Sequence, residues 1–180
     1  ISKGDYIMIV KNNYFWTADN KDVSFIANGD IAEIIDIDNY ESLYGFDFAN
    51  VTVRFSDYND FEITLKVLLN TLSSESPSLS YEENNKLYTE VSHDYAEIKN
   101  KRKLYEEIKK NPYFNALQIK FAYAITCHKA QGGQWKHVYI DHGFFNKDTV
   151  DQEFIRWLYT ACTRATEKIY FVNFKDDFFE

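Results

Sequence analysis

The sequence predicts a mixed α/β chain: a small antiparallel β-barrel, then a helical segment, then a C-terminal α/β part with a parallel sheet. Three observations predict this order. Residues 5–70 hold short apolar or alternating runs separated by turn residues, and an amphipathic helical pattern follows them. From Ile119 the order becomes strand, loop, strand, helix, strand. We place the parts at 1–79, 80–118 and 119–180.

Four strand-like runs make up the first part. Turn residues lie between them at NGD (28–30), at Tyr44-Gly45 and at SDYND (56–60). Strands at this spacing are typical of an SH3-like barrel. The runs are YIMIV (6–10), IAEIIDI (31–37), NVTVRF (50–55) and FEITLKV (61–67).

Three adjacent aromatic residues in the first part allow two interpretations. Tyr14, Phe15 and Trp16 either pack at the core and rim of the barrel or stack on nucleic-acid bases. Packing is the more common role of aromatic residues in a small barrel.

A capping box begins the helical segment. Ser80 and Glu83 have the required spacing, and Asn111-Pro112 ends the helical pattern. The charged run KNKRK (99–103) indicates a solvated helix face, with DNA contact as the alternative. The apolar residues that share one face are Leu87, Val91, Tyr95, Ile98, Tyr105 and Ile108.

Two runs in the third part are apolar on both faces, as central parallel strands are. They are Ile119–Ile125 and Lys168–Val172, and we expect them to be neighbours in one sheet. A helix is predicted over 151–165. Ligands of open α/β sheets bind beyond the carboxyl ends of the strands, which directs attention to the loop after Ile125.

That loop, HKAQGGQW, has the residue types of an anion site. Gly132 and Gly133 permit a tight turn that brings backbone amides close to an anion. Thr126 and His128 can donate hydrogen bonds to phosphate oxygens, and Lys129 adds positive charge. A purely structural Gly-Gly turn is the alternative.

A second group of residues lies on the predicted helix. Arg164 follows Thr160 by four residues and Arg156 by eight, which places all three near one helical face. An arginine on an otherwise apolar helix is costly to desolvate unless it has an anionic partner. The partner is either a carboxylate of the same chain or the γ-phosphate of a nucleotide.

Charge restricts where an anion can bind. The net charge of −8 argues against a self-sufficient nucleic-acid binder. Residues 119–170, however, carry seven Lys and Arg against five Asp and Glu. An anion site therefore belongs in this block.

Two cysteines, Cys127 and Cys162, form neither a disulfide framework nor a zinc-type CxxC spacing. No apolar run approaches the ~20 residues of a membrane span. We therefore expect a reducing, cytoplasmic environment and no membrane partner. Because Ile1 begins in a strand-like pattern, we expect the chain to be a piece of a longer protein.

The two stretches together resemble the late motifs of superfamily 1 helicases. TCHKAQGGQW (126–135) resembles motif V, and YTACTRA (159–165) resembles motif VI. GDYIMIVKNNY (4–14) and FIANGDIAEII (25–35) are similar to the barrel inserted in the second motor domain of RecD-like and Dda-like helicases. The resemblance implies a partial RecA-like, P-loop NTPase type, parallel sheet with an inserted SH3-like barrel.

The resemblance also implies residue roles. Arg164 matches the arginine finger of motif VI, which stabilises charge on the transferred phosphoryl group, so we expect it to point from its helix toward open solvent near the Gly132–Gly133 loop. Thr126, His128 and Lys129 correspond to DNA contacts. Many relatives have a ribose-binding Glu at the position of Gln134, so Gln134 is a departure from the pattern. The residues expected at the rim of the ATP site are Gln131, Gly132, Gly133, Gln134 and Thr160.

The implied whole protein is an ATP-dependent, RecD-like (exodeoxyribonuclease V alpha-like) DNA helicase that translocates on single-stranded DNA, with possible partners in recombination or repair. No GxxxxGK[ST] sequence occurs here. We therefore expect ATP and Mg²⁺ to be held mainly by a RecA-like domain N-terminal to this segment. The segment alone should be inactive and should bind ATP and single-stranded DNA weakly or not at all.

Other functions remain compatible with the sequence. One is a non-catalytic protein- or nucleic-acid-binding module with a degenerate motor half, and another is an RNA-directed superfamily 1 helicase. A catalytic thiol at Cys127 or Cys162 is disfavoured, since neighbouring strand residues such as Cys127 and His128 point to opposite faces. The remaining alternative is a metal site built from His128, His137, Asp141 and His142.

Overall fold

The computed structural model describes residues 1–143 and 151–179. The chain divides after Tyr123 into two compact units, Ile1–Tyr123 and Ala124–Glu180. The division falls inside the run Ile119–Ile125 that the sequence predicts as one strand.

The first unit contains a closed five-stranded barrel. Neighbouring strands pair antiparallel around the barrel, except that the last strand runs parallel to the fourth. A barrel is confirmed and all four strand-like runs are strands, but the strand that closes it comes from residues 117–121 and lies outside the predicted range of 1–79. The strands are β1 (Tyr6–Ile9), β2 (Ile31–Leu43), β3 (Phe46–Phe55), β4 (Phe61–Leu68) and β5 (Leu117–Phe121).

Alternating strand residues fill the barrel. In β3, for example, Val51, Val53 and Phe55 are buried while the residues between them are partly exposed. This is the period-two pattern of a strand with one face on a core. Burying each such side chain contributes about 1.5–3 kcal/mol. The core is therefore formed by the residues that define the alternating runs in the sequence.

The strand β5 shows that the prediction of Ile119–Ile125 as a central strand of a parallel sheet was wrong. The strand ends at Phe121 and pairs with β1 and β4, so it is not a neighbour of Lys168–Val172. Leu117 and Ile119 face the barrel core, and Ala116 belongs to a second core beneath the helices. A strand covered on both sides has the same apolar sequence in a barrel as in a parallel sheet, so the sequence could not separate the two.

The helical segment follows β4 and packs on the barrel through this second core. The Ser80–Glu83 capping box is confirmed by reciprocal hydrogen bonds of 3.1 and 2.8 Å. The single predicted helix is two helices, because Asn100 caps a new one by accepting from the Arg102 and Lys103 amides. The helices are α1 (Asn70–Ser73), α2 (Tyr81–His93) and α3 (Lys101–Ile108).

A polar network joins the end of the helical segment to the barrel wall. The buried ammonium of Lys66 bonds Glu41 and the Asn50 side chain (2.8 Å), and it lies 4.2 Å from the ring centroid of Tyr113. The Tyr113 hydroxyl donates to Glu41 at 2.7 Å. These bonds lower the pKa of Glu41, with the Lys66 hydrogen bond as the largest cause.

The three aromatic residues near the start of the barrel were expected either to pack in the barrel or to stack on bases, and they do not all behave alike. Trp16 packs against the barrel core, and its indole donates to the Asn115 carbonyl at 2.8 Å. Phe15 packs edge-on against Trp16. Tyr14 is 61% exposed and stacks on Phe25. Trp16 is thus a structural residue, while Tyr14 keeps a free ring face.

The second unit has one α-helix, two strands and a short 3-10 helix (Asp176–Phe178) in its described part. The strands are β6 (Trp135–Asp141) and β7 (Ala165–Val172), and the α-helix is α4 (Gln152–Cys162). Asp151 caps α4 by accepting from the Phe154 amide at 2.8 Å. β6 and β7 pair in parallel, but the described residues of the second unit form only this two-stranded sheet and not the expected RecA-like sheet.

No helix within 1–143 or 151–179 has both the length and the apolarity that a transmembrane span requires.

We predict that Glu41→Gln lowers the free energy of unfolding by roughly 1–3 kcal/mol at neutral pH, because it leaves the buried Lys66 ammonium without its carboxylate. Since the folded pKa of Glu41 lies below its ordinary 4.5, the stabilisation is complete above that value and is lost as the pH falls through the folded pKa. Urea unfolding at several pH values measures the difference.

Glu97→Gln is the matched control, since Glu97 is exposed. Its effect on unfolding should be small and independent of pH. A gap between wild type and Glu41→Gln that persists unchanged far below pH 4.5 would contradict the role of the network.

Candidate functional site

Parallel pairing brings the two resembled motifs together. The same ends of parallel strands meet at one edge of a sheet, so the residues that precede β6 and β7 become neighbours. Gly133 comes shortly before β6, and Arg164 comes immediately before β7. The Trp135 amide donates to the Arg164 carbonyl at 2.9 Å, which fixes the two segments at this edge.

Arg164 is held by three neutral acceptors. Its Nε donates to the Thr160 carbonyl, Nη1 to the Gly133 carbonyl and Nη2 to the Thr163 hydroxyl, each at 3.1 Å. Within residues 1–143 and 151–179 no carboxylate lies within ion-pair distance of it. The guanidinium is therefore oriented while its charge stays uncompensated.

This geometry corrects two details of the sequence prediction. Arg164 lies in the turn after α4, which ends at Cys162, so it is not on the helix itself. It is half-buried and hydrogen-bonded, whereas we expected it to point into open solvent. The expected proximity to the glycine loop is confirmed by the bond to the Gly133 carbonyl.

The loop from Thr126 to Gly133 is a series of turns. The Ala130 amide donates to the Thr126 carbonyl at 3.0 Å, and the Gly133 amide donates to the Ala130 carbonyl at 3.2 Å. The Thr126 hydroxyl accepts from the Lys129 amide at 3.4 Å. Thr126 thus acts as a cap for this turn, and the Gly133 amide, which we expected to face an anion, is already bonded.

The two glycines are required for different reasons. Gly132 has φ +89°, a backbone conformation that favours glycine. A Cβ on Gly133 would lie 2.3 Å from Cη2 of Trp135, because that indole folds back over the loop. Gly132 is therefore required by its backbone conformation, and Gly133 is required by the packing of the Trp135 side chain.

Three of the other predicted site residues line one cleft. His128 and Gln131 lie on its loop side, and Thr160 lies on the α4 side together with Arg156. The Thr160 hydroxyl donates to the Arg156 carbonyl at 2.8 Å, so it is bonded within its own helix. Lys129 and Gln134 are exposed on the loop, and Gln134 makes no side-chain hydrogen bond with a described residue.

The alternative chemistries find little support. Burial raises the pKa of both the Cys127 and the Cys162 thiols, which disfavours a nucleophilic thiolate. No group of three metal-ligating side chains occurs among the described residues. His128 precedes β6, whereas Asp141 and His142 lie at its carboxyl end, so the proposed metal ligands do not converge.

The position of the loop in the sheet was predicted wrongly. We expected it beyond the carboxyl end of a central strand, but Ile119 belongs to the barrel. The loop instead leads into the amino end of β6. Sequence reasoning also missed the Cys127 thiol, which donates to the Trp157 carbonyl at 3.5 Å and ties the loop to α4. No sequence signal pairs these two residues.

Comparison with protein families adds an independent observation. Residues 121–172 match the UvrD-like helicase C-terminal domain. The matched range contains the glycine loop, both strands of the parallel sheet and Arg164. It supports a superfamily 1 helicase C-terminal part over this range. None of the curated proteins compared matches the chain.

We predict that Gly133→Ala destabilises the second unit by about 1–3 kcal/mol, the usual cost of overpacking. The new methyl group must displace the Trp135 indole. In a Trp135→Ala background the same substitution should cost much less. Native-state hydrogen exchange of the β6 and β7 amides measures both values, and equal costs in the two backgrounds would disprove the contact.

Proposed function

We propose that this segment is the C-terminal part of an ATP-dependent, RecD-like superfamily 1 DNA helicase, and that it supplies motif V and the arginine finger Arg164. The observation that carries the proposal is the Arg164 guanidinium. Hydrogen bonds to neutral acceptors hold it beside the motif V loop without neutralising its charge. The family match over 121–172 supports the same reading.

The geometry suits an arginine finger because hydrogen bonds already orient the Arg164 guanidinium. A guanidinium has five N–H donors, and the three hydrogen bonds leave two for an incoming phosphate. An arginine already oriented for the charge that develops in phosphoryl transfer needs little reorganisation during the reaction. Such a residue contributes ~10³–10⁵ in rate.

The proposal divides the ATP site between two parts of the protein. A RecA-like domain N-terminal to this segment holds ATP and Mg²⁺, while Gln131, Gly132, Gly133, Gln134 and Thr160 form the rim of the site on this side. Thr126, His128 and Lys129 contact single-stranded DNA along which the motor moves. RecD-like polarity and roles in recombination or repair belong to the same proposal.

Arg164→Ala in the protein with its complete motor should lower kcat for ATP hydrolysis by ~10³-fold or more, while KM for ATP changes far less. The contact matters most as charge develops in the transition state. Arg164→Lys should recover little, because an ammonium cannot reproduce the planar fork. Steady-state ATPase assays measure all three proteins.

Arg102→Ala is the matched control, since it removes one exposed arginine from α3 with the same change in charge. Its turnover should equal wild type. Turnover near wild type in Arg164→Ala would reject the finger. An upstream sequence without a Walker A loop would favour the non-catalytic module instead.

The 180-residue chain by itself should bind ATP more weakly than micromolar, because it lacks the phosphate loop and carries a net charge of −8. Isothermal titration calorimetry with Mg-ATP measures the affinity. A micromolar or tighter Kd would contradict the division of the ATP site.

A further inference from the structure

The outer edge of β2 lacks a neighbouring strand over most of its length. β1 pairs with β2 only at residues 31–33, and two further bonds, to the Ile34 amide and carbonyl, extend this contact by one residue. β3 covers the opposite edge of β2 as far as Leu43. Residues 35–43 therefore form a strand edge that no other strand covers within the described part of the chain.

The backbone groups of this edge point outward. Ser42 pairs with Asp47 of β3. The Asp47 amide donates to the Asn70 side chain at 2.7 Å and its carbonyl accepts from the Leu69 amide at 2.9 Å, on the side of β3 where β4 lies. Opposite residues of an antiparallel pair turn their backbone groups either toward each other or apart. The Ser42 amide and carbonyl therefore face the open edge, and by alternation so do those of Tyr40.

The open edge is acidic. Asp36 and Asp38 are exposed on it, and Asp47 is exposed beside it on β3. No described Lys, Arg or His side chain lies within ion-pair distance of these three carboxylates. Glu41, by contrast, is neutralised by Lys66. The edge thus carries negative charge that the described residues leave uncompensated.

A pocket of about 370 Å³ lies against the same edge. Tyr40 and Ser42 line it from β2, and Asp47 lines it from β3. Leu69 and Asn70, at the start of α1, form the opposite wall. The Ser42 hydroxyl donates to the Asp47 carboxylate and so holds that carboxylate at the pocket. The pocket therefore suits a basic side chain.

We propose that residues 35–43 of β2 bind an extended, lysine- or arginine-rich peptide of a partner protein, which adds to the open edge as a further strand. In this binding mode main-chain hydrogen bonds give affinity, and pockets for alternate side chains give specificity. The backbone groups of Tyr40 and Ser42 bond the added strand, while one basic side chain enters the pocket beside Asp47. The site lies in the barrel unit and is independent of the proposed function.

Two other occupants fit the edge less well. A second copy of the chain would place like charges opposite one another, which destabilises a strand pair, and charged residues on edge strands commonly prevent such association. The start of the chain reaches this part of β2 through the Ile1 carbonyl, which accepts from the Tyr40 hydroxyl at 2.9 Å. This contact uses a side chain and leaves the backbone groups of the edge available.

The test uses the 180-residue chain and a capped hexapeptide of alternating lysine and valine, with amide hydrogen exchange followed by NMR. At a peptide concentration about ten times Kd, the Tyr40 and Ser42 amides should exchange ~10-fold more slowly, because the added strand accepts from them. The Glu41 and Leu43 amides face β3 and should change far less. A glutamate–valine hexapeptide, or the lysine–valine peptide with every backbone amide methylated, should protect neither Tyr40 nor Ser42.

The double variant Asp36→Lys, Asp38→Lys should weaken binding of the lysine–valine peptide by ~10-fold, because like charges then face each other across the strand pair. It should also gain affinity for the glutamate–valine peptide. Asp19→Lys with Asp22→Lys is the matched control, since both residues are exposed outside β2 and the change in net charge is equal. This control should bind the lysine–valine peptide as wild type does.

Unchanged exchange of Tyr40 and Ser42 at millimolar lysine–valine peptide would overturn the proposal, as would equal binding by the two double variants. Protection that appears without peptide and grows with chain concentration would assign the edge to a second copy instead. Protection in the 180-residue chain that is lost in the protein with its complete motor would assign it to that protein's own residues. None of these results bears on Arg164, which is judged by ATP turnover.

Discussion

The parallel pairing of β6 and β7 is the constraint on which the candidate site depends. Because both strands begin at the same edge, the loop before one and the turn before the other must meet there. The Trp135 amide and the Arg164 guanidinium both bridge this edge, the second through the Gly133 carbonyl. Gly133 and Arg164 are 31 residues apart in the sequence, and this pairing brings the two stretches that contain them into contact.

Arg164 shows how one side chain can be held in place by hydrogen bonds and still keep its charge. Its bond to the Thr160 carbonyl, which also accepts from the Thr163 hydroxyl, helps to satisfy the end of the helix, and positive charge there complements the helix dipole. Its bond to Gly133 holds the loop. Neutral acceptors orient the guanidinium without cancelling its charge, which a carboxylate would do. The site therefore keeps its attraction for an anion.

The barrel of the first unit is closed by a strand that is far in sequence from the other four strands. β5 closes the barrel only after the helical segment, and the Thr71 hydroxyl donates to the Ile119 carbonyl at 2.8 Å to fix that strand. The Lys66–Glu41–Tyr113 network connects the end of the helical segment to the barrel wall. Buried polar groups that satisfy one another in this way favour a single arrangement of the closing strand.

The sequence by itself determined the features that depend on local periodicity and capping: the first four strands of the barrel, the capping box at Ser80, helix α4 and the two stretches that resemble helicase motifs. Only the tertiary structure decided which strands pair. An apolar run is the same whether a barrel or a parallel sheet buries it, so Ile119 was assigned to the wrong sheet. It also decided that Gly133 lies under Trp135 and that the Arg164 guanidinium bonds the Gly133 carbonyl, because such facts depend on side-chain direction and on neighbours distant in sequence.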